Sequence, residues 1–234
     1  MKIGISQPTF LPWQGYFALI DYVDVFVFLD SVQFVKRSWI QRNKIKNNDK
    51  EQWITIPVKS KNKRFQAIKD TKIDFDHLDK KKIVNSIYNN YKKSKNFEIY
   101  FEVINKIILE CDENISNLNE TFIKKFSNSL GLKTKFIKSS ELPGCDDFKN
   151  IELLKHICLN LSAKEYVSTI GSKAYMGKKN FFENTDVEIK FFEYKPSAYD
   201  QLGKIFVPYL SIIDLLFNEG SNSGKILKKN FILL

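Results

Sequence analysis

An α/β chain, Rossmann-like and doubly wound around a mainly parallel sheet with an inserted helical region, is predicted by three features of the sequence. The first thirty residues run strand, helix, strand with short connections, the opening a parallel sheet uses. Strand and helix patterns alternate again from residue 133 to residue 220. Between these stretches, from Leu78 to Leu130, apolar residues recur three and four apart, which is the period of helices.

Taken in order, residues 2–6 ("KIGIS") read as a buried strand, 14–22 as a helix, and 24–30 ("DVFVFLD") as a second buried strand ending on Asp30. Residues 31–50 are polar and basic with Phe34, Trp39 and Ile40 embedded, and read as a functional loop. "QWITIPVKS" (52–60) alternates as a strand, and Pro57 marks it as an edge strand or one that ends early. Three helical stretches follow, with Gly131 placed as a C-terminal cap. Then come a strand in 133–142, a helix over 150–161, strands over 165–170 and 187–194, and a helix over 211–220 with Ser211 as its N-cap and Gly220 closing it. The expected organisation is a single α/β domain of 234 residues: an N-terminal nucleotide-binding half (1–75), a helical insert (76–132) and a C-terminal half (133–234).

Twenty Phe, ten Tyr and a hydrophobic share of 43% supply an ample core. No apolar run reaches the ~18 residues of a membrane span, and the N-terminus reads as a strand rather than a signal peptide. No membrane insertion and a cytoplasmic location are therefore expected. Cys111, Cys145 and Cys158 are too widely spaced for a disulfide framework or a zinc motif, and read as reduced and structural. His77 and His156 likewise read as structural, leaving no His/Cys metal site. The net charge of +10 suits nucleic acid, phosphorylated small molecules or an anionic membrane face. No Arg/Lys stripe interleaved with aromatics marks a nucleic-acid surface, so nucleic acid is not an expected partner.

In an open parallel sheet, ligands sit at the carboxyl ends of the strands. After the first strand stands "QPTFLPWQGY", opening a helix whose N-terminus offers free N–H groups to phosphate. Gly15 would allow close backbone approach, and Pro8 and Pro12 stiffen the turn. Equally, Phe10 and Trp13 could plug the core. This turn resembles the HxGH turn of nucleotidylyltransferases and pantothenate-synthetase-like ligases, with Trp13 and Tyr16 where the two histidines would stand. The missing imidazoles favour nucleotide binding over nucleotidyl transfer. After the second strand, Asp30, Gln33, Lys36, Arg37, Arg42 and Asn43 gather a carboxylate, amides and cations beside aromatics. After a later strand, Gly171, Ser172 and Lys173 could form a small anion nest, or simply start a capped helix. Asp214 and Asn218, four apart on one helical face, read mainly as structural.

Together, "QPTFLPWQGYFALI", "VDVFVFLDSVQFVKRSWIQRN", "WITIPV", "YVSTIGSKAY" and "YDQLGKIFVPYLSIIDLLFNEG" resemble, in the same order, the WbqC-like family of bacterial proteins encoded among genes for O-antigen and related surface polysaccharides. The match is loosest between about residues 60 and 150. Positions matching the family pattern are Gln7, Pro8, Pro12, Gly15 and Tyr16, then Asp30, Gln33, Lys36, Trp39, Arg42 and Asn43. They continue with Gly171, Ser172 and Lys173, and end with Tyr199, Gln201, Ser211, Asp214, Asn218 and Gly220. The resemblance implies modification of a nucleotide-linked amino sugar, by acyl or aminoacyl transfer to its amine. On that reading Asp30 orients or deprotonates the amine, Lys36, Arg42 and Lys173 hold phosphates, and Gln33 and Asn43 read hydroxyls or polarise the acyl carbonyl. Trp13 or Trp39 packs on a ring, with Gln7, Pro8, Phe10, Gly15, Tyr16, Gly171, Ser172, Tyr199 and Gln201 completing the binding set. The implied partners are the nucleotide-linked amino sugar and an acyl or aminoacyl donor. No tightly bound cofactor is expected; ATP with Mg²⁺ enters only if the acyl group is activated in place. Nucleotidyl transfer to a sugar phosphate or acid, and a non-catalytic sugar-binding or scaffold role, are the alternatives.

Overall fold

The structure is a computed structural model that describes residues 1–176 and 182–234. The chain begins β1 (Lys2–Ser6), α1 (Gln14–Tyr22), β2 (Val25–Phe28), β3 (Arg42–Asn47) and β4 (Lys50–Thr55). Helices α2 (Lys80–Tyr91), α3 (Phe97–Glu110) and α4 (Ile115–Ser129) follow, then β5 (Lys135–Lys138), α5 (Asn150–Asn160), β6 (Glu165–Thr169) and α6 (Lys173–Met176). It closes with β7 (Glu188–Tyr194), α7 (Ile212–Glu219), α8 (Ser223–Leu227) and β8 (Phe231–Leu233).

Six strands form one sheet in the order β5, β2, β1, β6, β7, β8. All adjacent pairs are parallel except β7 and β8. Alternation along the strands covers both faces. Ile3, Ile5, Val25 and Val27 pack toward Leu153, Ile157 and Cys158 of α5. Phe26, Phe28 and Val167 point the other way, into a larger core built with α1, α4 and α7. Each such fully buried side chain contributes about 1.5–3 kcal/mol, which is why a one-residue slip of register is not tolerated. The doubly wound α/β fold follows from this two-sided burial.

Two readings from the sequence change. The basic stretch after β2 is only partly a loop: its second half is β3, paired antiparallel with β4 in a separate two-stranded hairpin. Its lysines and asparagines hide the alternation that buries Asn43 and Ile45, and β4 ends at Thr55, two residues before Pro57. The short β8 was not anticipated; three residues at the chain's end pair with Phe192–Tyr194. Elsewhere the end signals act as expected: the Ser211 hydroxyl accepts from the Ile213 N–H, and Gly131 and Gly220 take positive φ values of 74° and 54° where helices stop.

Candidate functional site

Strand order reverses between β1 and β6, because the chain leaves β1 for β2 on one side and returns to β6 on the other. At such a switch point the connections diverge to opposite faces and leave a crevice outside the carboxyl ends. Here it is a cavity of about 620 Å³ reaching from Ser6 at the end of β1 to Thr169 at the end of β6 and Tyr194 at the end of β7. Its walls are aromatic: Trp13 and Tyr16 from the first turn, Trp39 from the segment before β3, Tyr194, and Tyr209 from the loop before α7. The indole of Trp13 lies edge-on to Tyr194, centroids 5.7 Å apart, and tilted against Tyr209 at 5.4 Å.

Gly15 makes this wall possible. A Cβ there would sit 2.3 Å from the Trp13 ring, so only glycine lets the indole lie across the start of α1. The space that Gly15 leaves is filled by the protein's own tryptophan, rather than being open for a phosphate to approach the backbone as the sequence suggested.

The turn itself is held by two buried asparagines. Asn43 Nδ2 donates to the carbonyls of Phe10 (3.0 Å) and Leu11 (2.8 Å). Asn119 Nδ2, from α4, donates to those of Pro8 (3.0 Å) and Ile40 (2.8 Å). Leu11 has a φ of 43°, a left-handed conformation costly for a leucine, which these clamps stabilise. The Phe10 N–H also donates to the Trp39 carbonyl (2.8 Å), joining the two aromatic walls. Asn119 was missed in the sequence although a signal for it exists: it falls on the same face of α4 as Ile115, Phe122, Ile123 and Phe126, where an amide has no reason to be unless it bonds.

Two ammonium groups stand among the lining residues, each paired with a carboxylate of the chain: Lys44 with Glu51 (2.5 Å) and Lys195 with Glu193 (3.4 Å). Glu193 also lines the cavity, as do the hydroxyls of Ser6, Thr9 and Thr169. Burial pushes the phenols of Tyr16 and Tyr194 upward, the nearby Glu120 carboxylate adding to the effect at Tyr16, so both stay neutral. Tyr16 donates to the Gln7 carbonyl (2.9 Å) and Tyr194 to Gln14 Oε1 (3.2 Å). The cavity can therefore hold a ring system between aromatic walls and exchange its own carboxylates at Lys44 and Lys195 for a ligand's phosphates.

Of the residues singled out from sequence, the cavity gathers Pro12, Trp13, Gly15, Tyr16, Trp39 and Asn43. Gln7 and Pro8 contribute backbone carbonyls to the turn, and Phe10 is fully buried against Phe122. Asp30 lies elsewhere: two residues past β2, its carboxylate accepts from Ser139 Oγ (3.0 Å), the Ser140 N–H (3.0 Å) and Ser140 Oγ (2.6 Å). Gln33 and Lys36 sit at an exposed groove on another loop. Arg42 stacks its guanidinium 4.3 Å from the Trp53 ring. Ser172 is buried, its hydroxyl turned to Ser168 and to the Thr169 carbonyl, while Gly171 is exposed and Lys173 lies over the Phe191 ring.

Tyr199 and Gln201 belong to a different cluster, around the fully buried Asp214. Asp214 accepts from Tyr91 (3.0 Å), Tyr199 (2.5 Å) and Gln201 (2.7 Å), and Lys46 Nζ donates to Gln201 Oε1 (3.0 Å). Burial raises the Asp214 carboxyl above its ordinary value despite these donors. The cluster straps the loop before α7 to the β3–β4 hairpin. Among the described residues no group of three or more His, Cys, Asp or Glu side chains is arranged to hold a metal, and no helix is long and apolar enough to cross a membrane.

Residues 7–226 match the WbqC-like protein family. The chain belongs to that family. Its relative, the uncharacterized protein Rv1507c of Mycobacterium tuberculosis (strain ATCC 25618 / H37Rv), is 33% identical over 229 residues, covering 97% of this chain and 97% of that protein. No solved structure matches the chain. The span matched to the WbqC-like family contains the cavity's lining residues from the first turn to the loop before α7, with Ser6 of β1 just ahead of it.

Proposed function

We propose that this WbqC-like chain binds a nucleotide-linked amino sugar in the carboxyl-edge cavity and modifies the sugar amine during surface-polysaccharide assembly, by acyl or aminoacyl transfer. The observation that carries the reading is the cavity at the β1/β6 switch point, walled by Trp13, Trp39, Tyr194 and Tyr209 with Lys44 and Lys195 among its lining residues. Family membership supports the polysaccharide setting. Aromatic walls suit a base and a sugar ring, and the two lysines suit a diphosphate.

Amide formation requires a neutral amine, a carboxylate or similar base to take its proton, and donors for the tetrahedral oxyanion. Glu193, which lines the cavity, would serve as the base once its partner Lys195 turns to a ligand phosphate; Asp30 does not line the cavity, and its carboxylate is held by Ser139 and Ser140. The amine nitrogen would attack the carbonyl of an activated ester or thioester, forming the N–C bond as the alkoxide or thiolate leaves and the ammonium proton passes to Glu193. Thr9 and Thr169 supply hydroxyl donors in the same cavity.

Calorimetry with a panel of dTDP- and UDP-linked amino sugars, followed by mass spectrometry with acyl donors, tests this. The expected result is binding that Trp13→Ala weakens, and a product whose formation Glu193→Gln abolishes while binding survives. Failure of the whole panel to bind sinks the reading. A non-catalytic sugar-binding role is favoured by one observation, that Asp30 and Asn43 spend their polar atoms on the protein's own backbone and hydroxyls; binding without turnover for any donor would select it.

A further inference from the structure

Two loops, one on each side of the β3–β4 hairpin in sequence, meet and form a cationic tip. The Phe34 N–H donates to the Gln66 carbonyl (2.9 Å), Gln33 Nε2 donates to the Arg64 carbonyl (2.7 Å), and Gln33 and Ala67 form a β-bridge. This pairing sets Lys36 and Arg37 beside Lys61, Lys63 and Arg64, all five exposed. No carboxylate occurs in the sequence between Ser31 and Asn48 or between Val58 and Lys69. The next lysines along the chain differ in this respect: Lys69 and Lys72 pair with Asp146 and Glu113. Among the described residues none of the five tip cations has such an ion pair, so their charge is uncompensated.

At the same tip Phe65 is 80% exposed and Val35 56%. The Phe65 ring meets the Arg64 guanidinium at 5.6 Å. A shallow groove of about 400 Å³ runs between the loops, lined by Gln33, Lys36, Ser60, Asn62, Lys63 and Arg64. A projecting phenyl ringed by cations is what a surface-lying protein presents to an anionic bilayer: the ring enters the headgroup–acyl boundary and the cations remain among the phosphates. Single-stranded nucleic acid would also satisfy the charge and could stack a base on Phe65, but the exposed aliphatic Val35 offers no stacking face and adds apolar surface that a bilayer would bury.

We infer that the tip formed by Val35–Arg37 and Lys61–Phe65 docks the protein on an anionic lipid surface. The contact is peripheral and at headgroup depth. Trp39, three residues beyond the Lys36 of this tip, lines the carboxyl-edge cavity, so docking would hold that cavity close to the bilayer. The inference does not depend on what the cavity binds.

Co-sedimentation of the full chain with vesicles tests it, comparing phosphatidylcholine alone with phosphatidylcholine containing about a third phosphatidylglycerol. Binding is expected to the anionic vesicles only, and to weaken as sodium chloride rises from about 0.05 M to about 0.5 M. Each cation contributes about fivefold near an anionic leaflet, so Lys63→Gln with Arg64→Gln should weaken binding about 25-fold. Phe65→Ser should weaken it as well, and Phe65→Trp should add quenching by brominated lipid beyond whatever the native Trp13, Trp39 and Trp53 show in the unsubstituted chain. All are exposed loop positions, and unchanged circular dichroism confirms folding. Equal binding to neutral vesicles, no binding to anionic vesicles at low salt, or indifference to Phe65→Ser overturns the inference. So does tighter binding to single-stranded RNA than to the anionic vesicles, which would assign the tip to nucleic acid.

Discussion

Gly15→Ala tests the construction of the cavity without needing its ligand. The added methyl would meet Cζ2 of Trp13 at 2.3 Å and Cη2 at 2.4 Å, far inside van der Waals contact, so the indole must swing away. Doing so breaks its contacts with Tyr194 and Tyr209. Aromatic pairs are worth about 0.5–1.5 kcal/mol each, a loss of about 1–3 kcal/mol. Against this, replacing glycine by alanine in a helix stabilises by about 0.5–1 kcal/mol. The net destabilisation should thus be small, about 0–2.5 kcal/mol, while ring stacking worth about 1–3 kcal/mol disappears from the cavity, weakening a stacked ligand roughly 5- to 150-fold. A double-mutant cycle in urea isolates the cause. In a Trp13→Ala background the clash is gone, and Gly15→Ala should become neutral or stabilising by up to about 1 kcal/mol. If the two substitutions instead add, the glycine is not there for the indole and the reasoning fails.

Three further outcomes follow from the geometry. Asp214 has a folded-state value raised above the ordinary 3.8 by burial, so its stabilising contribution is fully present below that ordinary value and lost as pH rises through the folded value. Asp214→Asn lacks this dependence, so the stability difference between the unsubstituted chain and the variant should shrink with rising pH by about 1.4 kcal/mol per unit of elevation; urea midpoints that diverge with pH would contradict it. Asn43→Ala leaves the buried carbonyls of Phe10 and Leu11 without donors and should cost about 2–4 kcal/mol in a urea melt, whereas a cost below about 0.5 kcal/mol would show that the clamp is not needed. Asp30→Asn should cost about 1–3 kcal/mol through Ser139 and Ser140 yet leave ligand affinity and turnover unchanged once folded; a large loss of turnover would return Asp30 to the chemistry.

Much of the architecture was legible because its signals are local. Short apolar runs in 2–6 and 24–30 and the helical period through 78–130 are properties of neighbouring residues, and so are the Ser211 cap and the glycine stops. The prominence of the first turn was legible too, since two prolines, a glycine and a tryptophan between a strand and a helix demand a special backbone. The β3 strand was hidden because its lysines and asparagines carry little apolar contrast, and β8 because three residues give no period.

By itself, the sequence determined the alternation of elements, the doubly wound class and the turn that opens α1. Only the tertiary structure decided what that turn faces. Strand order brings Thr169 and Tyr194 beside Trp13, an asparagine from the hairpin and another from α4 close on its carbonyls, and Asp30 is turned to serines 109 and 110 residues away. Periodicity reports which face of an element is buried, but partners so distant along the chain are chosen by the packing of whole layers, and no local pattern carries that choice.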